Sequence, residues 1–291
     1  MDAEIKLIQR LGVPAETKQI TVNGRRINFL VAGSGKPVVL FHGANIGWGQ
    51  WYLNVSELAK HFKIYAVDFP GAGKSETINF TKADLERDFV DTAHEFIKYQ
   101  ELKKVSVIGH SLGAWTALRL ALRDKELIDK LILVSPVGLS GHMPIRYRLM
   151  AFNFFAKLAV STVMRSTRAN MEKFLKSALH ADMPISSDLI DYFYESVSIS
   201  PERHPFFLIN RLSSFWRMSS DLVLLNELHK IYHPVLVIGG DKDPIIRIND
   251  LQRAIVLFPH ACLEIFQNSG HVPPMENYSK FNRRAIDFIS K

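Results

Sequence analysis

Ser111 stands between two glycines in Gly109-His110-Ser111-Leu112-Gly113, after the apolar run Val105–Ile108 and before the helix-like stretch Ala114–Arg123. Gly-x-Ser-x-Gly puts small residues where a strand turns abruptly into a helix, and that turn lifts the serine hydroxyl clear of a sheet. A serine hydroxyl is a weak nucleophile at neutral pH and needs a base within hydrogen-bond reach. Histidine suits, with an unperturbed pKa of about 6.5, and an acid behind the ring would set its tautomer and stabilise the imidazolium. Of 11 histidines, His271 in Gly270-His271-Val272-Pro273-Pro274-Met275-Glu276 has a glycine before it and follows the last strand-like run. Asp241 and Asp243 in Gly240-Asp241-Lys242-Asp243-Pro244 follow the apolar run Val235–Ile238, at the carboxyl edge of a sheet, where open α/β folds bind ligands. Residues two apart on an extended segment share a face, so spacing leaves both open as the acid.

The elements that must position these groups repeat a simple rhythm. Lys18–Val22 and Arg25–Val31 flank Asn23-Gly24, a hairpin signature. The apolar runs Val38–Phe41, Ile64–Val67, Val105–Ile108, Leu131–Val134, Val235–Ile238 and Leu263–Phe266 follow. Amphipathic stretches such as Leu85–Tyr99, Ala114–Arg123 and Asn249–Leu257 separate several of them. This alternation predicts the α/β class, a mostly parallel doubly wound sheet with helices on both faces. From Pro136 to Pro234 there are 98 residue steps, whereas an αβ connection takes about 2–6 residues. The interval reads as an inserted helical cap. The expected organisation is 1–137 for the first part of the core, 138–231 for the cap and 232–291 for the rest of the core.

At the serine motif the chain resembles the α/β-hydrolase family. Phe41-His42-Gly43-Ala44 is similar to the family's loop after the third strand. Asp68-Phe69-Pro70-Gly71-Ala72-Gly73-Lys74-Ser75 is similar to its Asp-x-Pro-Gly-x-Gly-x-Ser turn. The segments carrying Asp243 and His271 resemble its acid and histidine loops, and all follow in the family's order. The resemblance covers nearly the whole chain outside the inserted interval. It implies an α/β-hydrolase fold and a catalytic triad of Ser111, Asp243 and His271. Asp243 is preferred to Asp241 because the family's acid is usually the third residue after the glycine. Pro244 would also restrict Asp243 to extended backbone. The resemblance further implies an oxyanion hole from the backbone N–H groups of Ala44 and Leu112, with no cofactor.

The activity so implied is cleavage of a carboxylic ester or thioester through an acyl-enzyme. Ser135-Pro136-Val137-Gly138-Leu139 and the acid and histidine loops are similar to monoacylglycerol-lipase-type members. Lys130–Gly138 also resembles carbon–carbon bond hydrolases of aromatic ring-cleavage pathways, which usually carry Asn where this chain has His110. Epoxide hydrolases and haloalkane dehalogenases need Asp at the elbow, so Ser111 argues against both. A hydrolase-fold receptor that binds a ligand without turnover is the remaining expectation.

The inserted interval is rich in aromatics, including Phe152, Phe154, Phe155, Tyr192, Phe193, Tyr194, Phe206, Phe207, Phe215 and Trp216. Most are expected to pack the cap, and some to face the cleft as an apolar pocket. The candidate substrate-pocket residues are His42, His110, Phe152, Phe155 and Trp216. His42 reads mainly as a loop-shaping residue, and His110 as lining or supporting the turn. Cys262, the single cysteine, begins a strand-like run and is expected in the core.

Composition excludes several classes. With 291 residues, 47% apolar and 22% charged, the chain can bury a full core and is not disordered, collagenous or a coiled coil. One cysteine allows no internal disulfide, which fits a reducing compartment. No apolar segment follows a basic start, and Leu149–Met164 is broken by Asn153 and Lys157, short of the roughly 20 residues a span requires. The expectation is a soluble, cytoplasmic protein. Gly71–Ser75 ends Gly-Lys-Ser, but the first glycine of a phosphate loop would fall at Asp68. No paired-histidine spacing implies a metal. The net charge of +7 is uneven: residues 141–180 hold Arg146, Arg148, Lys157, Arg165, Arg168, Lys173 and Lys176 against Glu172 alone. Such a block is either a solvated face or a surface for an anionic lipid or an acidic carrier protein. No nucleic-acid partner is expected, for want of a recognition motif.

Overall fold

Asn23 and Gly24 both take left-handed backbone, with φ of 50° and 76°. That turn folds β1 (Ala15–Val22) onto β2 (Arg25–Ala32) as an antiparallel hairpin. The computed structural model describes all residues except 1, 149–151, 163, 181, 182, 215 and 216. The sheet continues through β3 (Pro37–Phe41), β4 (Lys63–Val67), β5 (Val105–His110), β6 (Ile128–Val134), β7 (Val235–Gly240) and β8 (Ala261–Phe266). Spatial order is β1-β2-β4-β3-β5-β6-β7-β8. β2 meets β4 antiparallel, and every later pairing is parallel.

Strands buried on both faces must be apolar throughout, and alternate residues go to opposite sides. Val39, Phe41, Val107, Leu133 and Val237 pack with α3 (Thr92–Tyr99), α4 (Leu112–Arg123) and α10 (Ile248–Ile255). Val38, Leu40, Ile108, Ile132 and Leu236 pack with α2 (Tyr52–Leu58) and α12 (Tyr278–Ser290). The sheet is therefore doubly wound, as the alternation predicts. Cys262 departs from expectation: β8 is an edge strand, and the thiol is exposed instead of in the core.

Between β6 and β7 lie α5 (Ile145–Arg148), α6 (Asn153–Ser161), α7 (Arg168–Lys176), α8 (Ser187–Ser198) and α9 (Pro205–Leu212). β6 and β7 are nevertheless direct neighbours, with Leu131 opposite Val235 and Val134 opposite Ile238. The two ends of the insertion are tied together. Leu224 N–H donates to Gly138 O at 2.9 Å, and Trp115 Nε1–H donates to Leu222 O at 3.1 Å. Among the described residues no helix is long and apolar enough to cross a membrane.

A short N-terminal helix, α1 (Ala3–Gln9), straps the inserted helices to the core. Asp2 caps it by accepting from Glu4 N–H, and Ala3 N–H donates to Glu195 of α8. Beneath it lies a buried acidic centre. Asp68 accepts from Trp48 N–H at 2.6 Å, Asn28 Nδ2–H at 2.7 Å, Lys74 N–H at 3.2 Å and Tyr192 O–H at 3.2 Å. Lys74 Nζ pairs with Asp2 and Glu4, so the Gly-Lys-Ser tail holds carboxylates and not phosphate. Burial, and then the charge of Glu4, push the Asp68 pKa up from 3.8 to about 6. The folded chain thus binds this proton more tightly than the unfolded chain. The resulting stability is complete below pH 3.8 and is lost as pH rises through about 6. Its size is on the order of 3 kcal/mol. Subtracting the melting profile of Asp68→Asn from that of the wild type should expose this descending step. A flat difference between those pH values would refute it.

Candidate active site

The elbow glycines are required by their neighbours. A Cβ at Gly113 would press into the carbonyls of Phe41 and His42, and one at Gly109 into the Gly113 carbonyl and Ala114. Only small residues let β5 pass directly into α4 at this distance from β3. The turn places Ser111 at φ 53°, ψ −113°, a sparsely populated conformation that costs on the order of 1–3 kcal/mol and is concentrated at functional sites. Ser111 N–H donates to Val134 O at 2.9 Å, which anchors the turn to β6.

His271 and Asp243 meet above the carboxyl ends of β7 and β8. His271 Nδ1 lies 2.9 Å from Asp243 Oδ2 and 3.1 Å from Oδ1. Asp243 Oδ1 also accepts from the N–H groups of Ile245 at 2.8 Å and Ile246 at 2.9 Å. Burial works to raise the Asp243 pKa, but His271 and these amides hold it below the usual carboxylate value. Asp241 is engaged elsewhere: its Oδ1 accepts from Ser269 N–H at 3.1 Å. The ambiguity left by spacing is resolved by geometry in favour of Asp243 as the ring's partner.

His110 and His42 are both buried and both structural in their bonding. His110 Nε2–H donates to His271 O at 2.8 Å, and the two rings pack with centroids 4.8 Å apart. Burial, then the neighbouring His271, lower its pKa to about 3, so the ring stays neutral. His42 Nε2 accepts from Phe69 N–H at 3.0 Å while Nδ1–H donates to Gly43 O at 2.5 Å. Burial lowers its pKa to about 4. Gln50, which belongs to no sequence motif, accepts from Gly43 N–H at 2.9 Å and so shapes the loop carrying Ala44. Among the described residues, neither the Ala44 nor the Leu112 backbone N–H has a hydrogen-bond acceptor.

Ser111, His110 and His271 share an apolar cavity of about 90 Å³. Ala44, Val137, Ile245 and Val272 line it from the core side. Met143, Tyr147, Phe174, Ile209, Leu212 and Met218 line it from the inserted segment. Of the pocket candidates, His110 lines the cavity and His42 does not. Phe152 and Phe155 lie on the exposed side of α6, 39% and 42% accessible, because α6 turns Ala156 inward. Trp216 lies outside the described residues.

One acceptor not foreseen from the sequence braces the histidine loop. Glu276 Oε2 accepts from Gly270 N–H at 2.8 Å and from His180 N–H at 2.7 Å, and Oε1 accepts from Val272 N–H at 3.0 Å. His271 N–H donates to Ala178 O at 2.8 Å. The backbone on both sides of His271 is therefore pinned to the segment after α7. In Glu276→Gln one oxygen can keep two of these donors, but the new NH₂ group opposes the third. If His271 is the base, kcat should fall about 10–100-fold, as small misplacements of catalytic groups do, with the fold preserved by circular dichroism. An unchanged kcat would show that the brace is dispensable.

Residues 38–284 match the model of the alpha/beta hydrolase family. The chain belongs to that family. An uncharacterized protein of Mycobacterium tuberculosis (strain ATCC 25618 / H37Rv) is 27% identical over 284 residues, covering 93% of this chain and 79% of the relative. A 2-hydroxy-6-oxononadienedioate/2-hydroxy-6-oxononatrienedioate hydrolase of Comamonas testosteroni is 25% identical, covering 97% of this chain and 99% of the relative. Among solved structures, a carboxylesterase from Bacillus subtilis superposes with a TM-score of 0.81 at 20% identity, covering 99% of this chain and 95% of that one.

Proposed function

We propose that this chain is a cofactor-free serine hydrolase that cleaves a carboxylic ester or thioester with an apolar acyl portion. Residues 1–137 and 232–291 form the hydrolase core, and 138–231 form a cap over Ser111. The observation that carries this reading is the meeting of Ser111 and the Asp243-bound His271 in one apolar cavity. Ser111 Oγ attacks the substrate carbonyl and passes its proton to His271 Nε2. The oxyanion is held by the N–H groups of Ala44 and Leu112, each worth about 3–4 kcal/mol. The alcohol or thiol leaves with the proton from His271, and water, activated by the same ring, releases the acid. Asp243 keeps Nδ1 protonated and stabilises the imidazolium.

The Comamonas relative supports a second reading, carbon–carbon bond cleavage. Its named substrate is a dicarboxylate. The described cavity residues include no Lys or Arg to receive a carboxylate, and burying an unpaired carboxylate is costly. An uncharged ester fits that lining better. Purified protein should hydrolyse p-nitrophenyl esters with a preference among graded acyl lengths, and hydroxylamine should trap the acyl group. Turnover of a 2-hydroxy-6-oxo-dienoate with no ester turnover would reverse the order of the two readings. Tight ligand binding with no turnover of either would favour a receptor.

A further inference from the structure

Helix α6 turns apolar side chains toward water. At 3.6 residues per turn, Phe154, Phe155 and Leu158 share the face opposite Ala156, which is fully buried. Phe154 is 70% exposed and Leu158 47%. The rings of Phe154 and Phe155 meet edge to face, with centroids 5.5 Å apart, so the face is a cluster and not scattered residues. On α5, Ile145 is 77% exposed, two residues from Tyr147, which lines the Ser111 cavity.

Cations border this face. Lys157 lies at its margin, and Arg165 Nε–H donates to Ser161 O one turn further on. The two line one shallow surface groove with Val197 and Phe207. Arg168 is met by Asp191 and Lys176 by Glu172. Lys157 and Arg165 meet no carboxylate among the described residues. An amphipathic helix with Phe and Leu on one face and flanking Lys or Arg is the pattern that settles into an anionic lipid interface.

We propose that this face of α6 docks on an anionic bilayer, seating Phe154, Phe155 and Leu158 among the acyl chains with Lys157 and Arg165 at the phosphates. A bilayer receives protruding rings without a matching pocket, whereas an acidic protein would have to supply one. The nine-residue helix is too short to span and would lie in the plane. α9, whose Ile209 and Leu212 wall the cavity, packs against α6 from the protein side, so docking would bring the bilayer to the inserted helices that cover Ser111. This names the source of substrate for the ester-hydrolase reading and rests on it for that consequence. Docking itself requires no chemistry.

Flotation with vesicles tests it on the full chain carrying Ser111→Ala, so that turnover plays no part. Vesicles of phosphatidylcholine alone should bind little, and vesicles of equal parts phosphatidylcholine and phosphatidylglycerol should bind well. Lys157→Gln and Arg165→Gln should each weaken binding by about fivefold. The pair Phe154→Ser and Leu158→Ser should weaken it by about tenfold or more. In the wild-type background, the Phe154→Ser and Leu158→Ser pair should leave turnover of soluble p-nitrophenyl butyrate unchanged. No binding to anionic vesicles, or equal binding by all variants, would overturn the proposal. So would salt-sensitive binding to polyglutamate without vesicle binding, which would assign the face to an acidic protein. Vesicle binding without ester turnover would leave docking standing and remove only the hydrolase reading.

Discussion

Replacing Ser111 with alanine should lower kcat for a p-nitrophenyl ester by about 10⁴-fold or more, with the melting temperature nearly unchanged. The elbow needs a small side chain, because Gly109 and Gly113 crowd against neighbouring backbone, and alanine keeps the Cβ already present. The anchor from Ser111 N–H to Val134 O uses backbone alone. The substitution removes only the oxygen that the proposed mechanism needs. Near-normal kcat in the folded variant would sink the serine mechanism.

The second large effect separates two aspartates. Asp243→Asn should cost about 10⁴-fold in kcat, while Asp241→Asn should cost little. Asp243 receives Nδ1–H of His271 and two backbone amides. An asparagine can satisfy those amides with its oxygen and then present NH₂ to the ring, which favours the wrong imidazole tautomer. Asp241 accepts from Ser269 N–H, and an amide oxygen can do the same. Steady-state kinetics of both variants at one pH decide the point. The reverse ranking would move the acid role to Asp241.

Much of the fold is legible in the sequence because a sheet covered on both faces demands short, wholly apolar runs. β3 and β7 are such runs, β4 and β6 end in one, β5 has Val105, Val107 and Ile108 around a single serine, and Asn23-Gly24 announces the hairpin. What is lost is whatever depends on contacts far apart in the chain. Helix α1 offers little pattern of its own: its place is set by Asp2 capping it, by Glu195 and by the buried Glu4. Cys262 looks like a core residue until β8 proves to be an edge. Helical spacing groups Phe152 and Phe155 with the other aromatics but cannot say which face of α6 packs, and Ala156 decides that.

The site divides in the same way. Local motifs mark Ser111, Asp243 and His271, since an elbow, an Asp-Pro turn and a Gly-His loop each have a backbone reason for their residues. Spacing alone leaves Asp241 and Asp243 open, the family resemblance favours Asp243, and its bond to His271 Nδ1 joins residues 28 positions apart. Glu276 reaches His180 across 96 positions, and His110 reaches the carbonyl of His271 across 161. No local pattern encodes either bond.

A fluorophosphonate probe reads most directly whether Ser111 is a nucleophile activated by His271. Intact-mass and peptide analysis should find one probe per chain, on Ser111, in the wild type. Ser111→Ala should take up none, and Asp243→Asn should label far more slowly. A folded wild-type protein that stays unlabelled, or carries the probe on a different residue, would contradict the account.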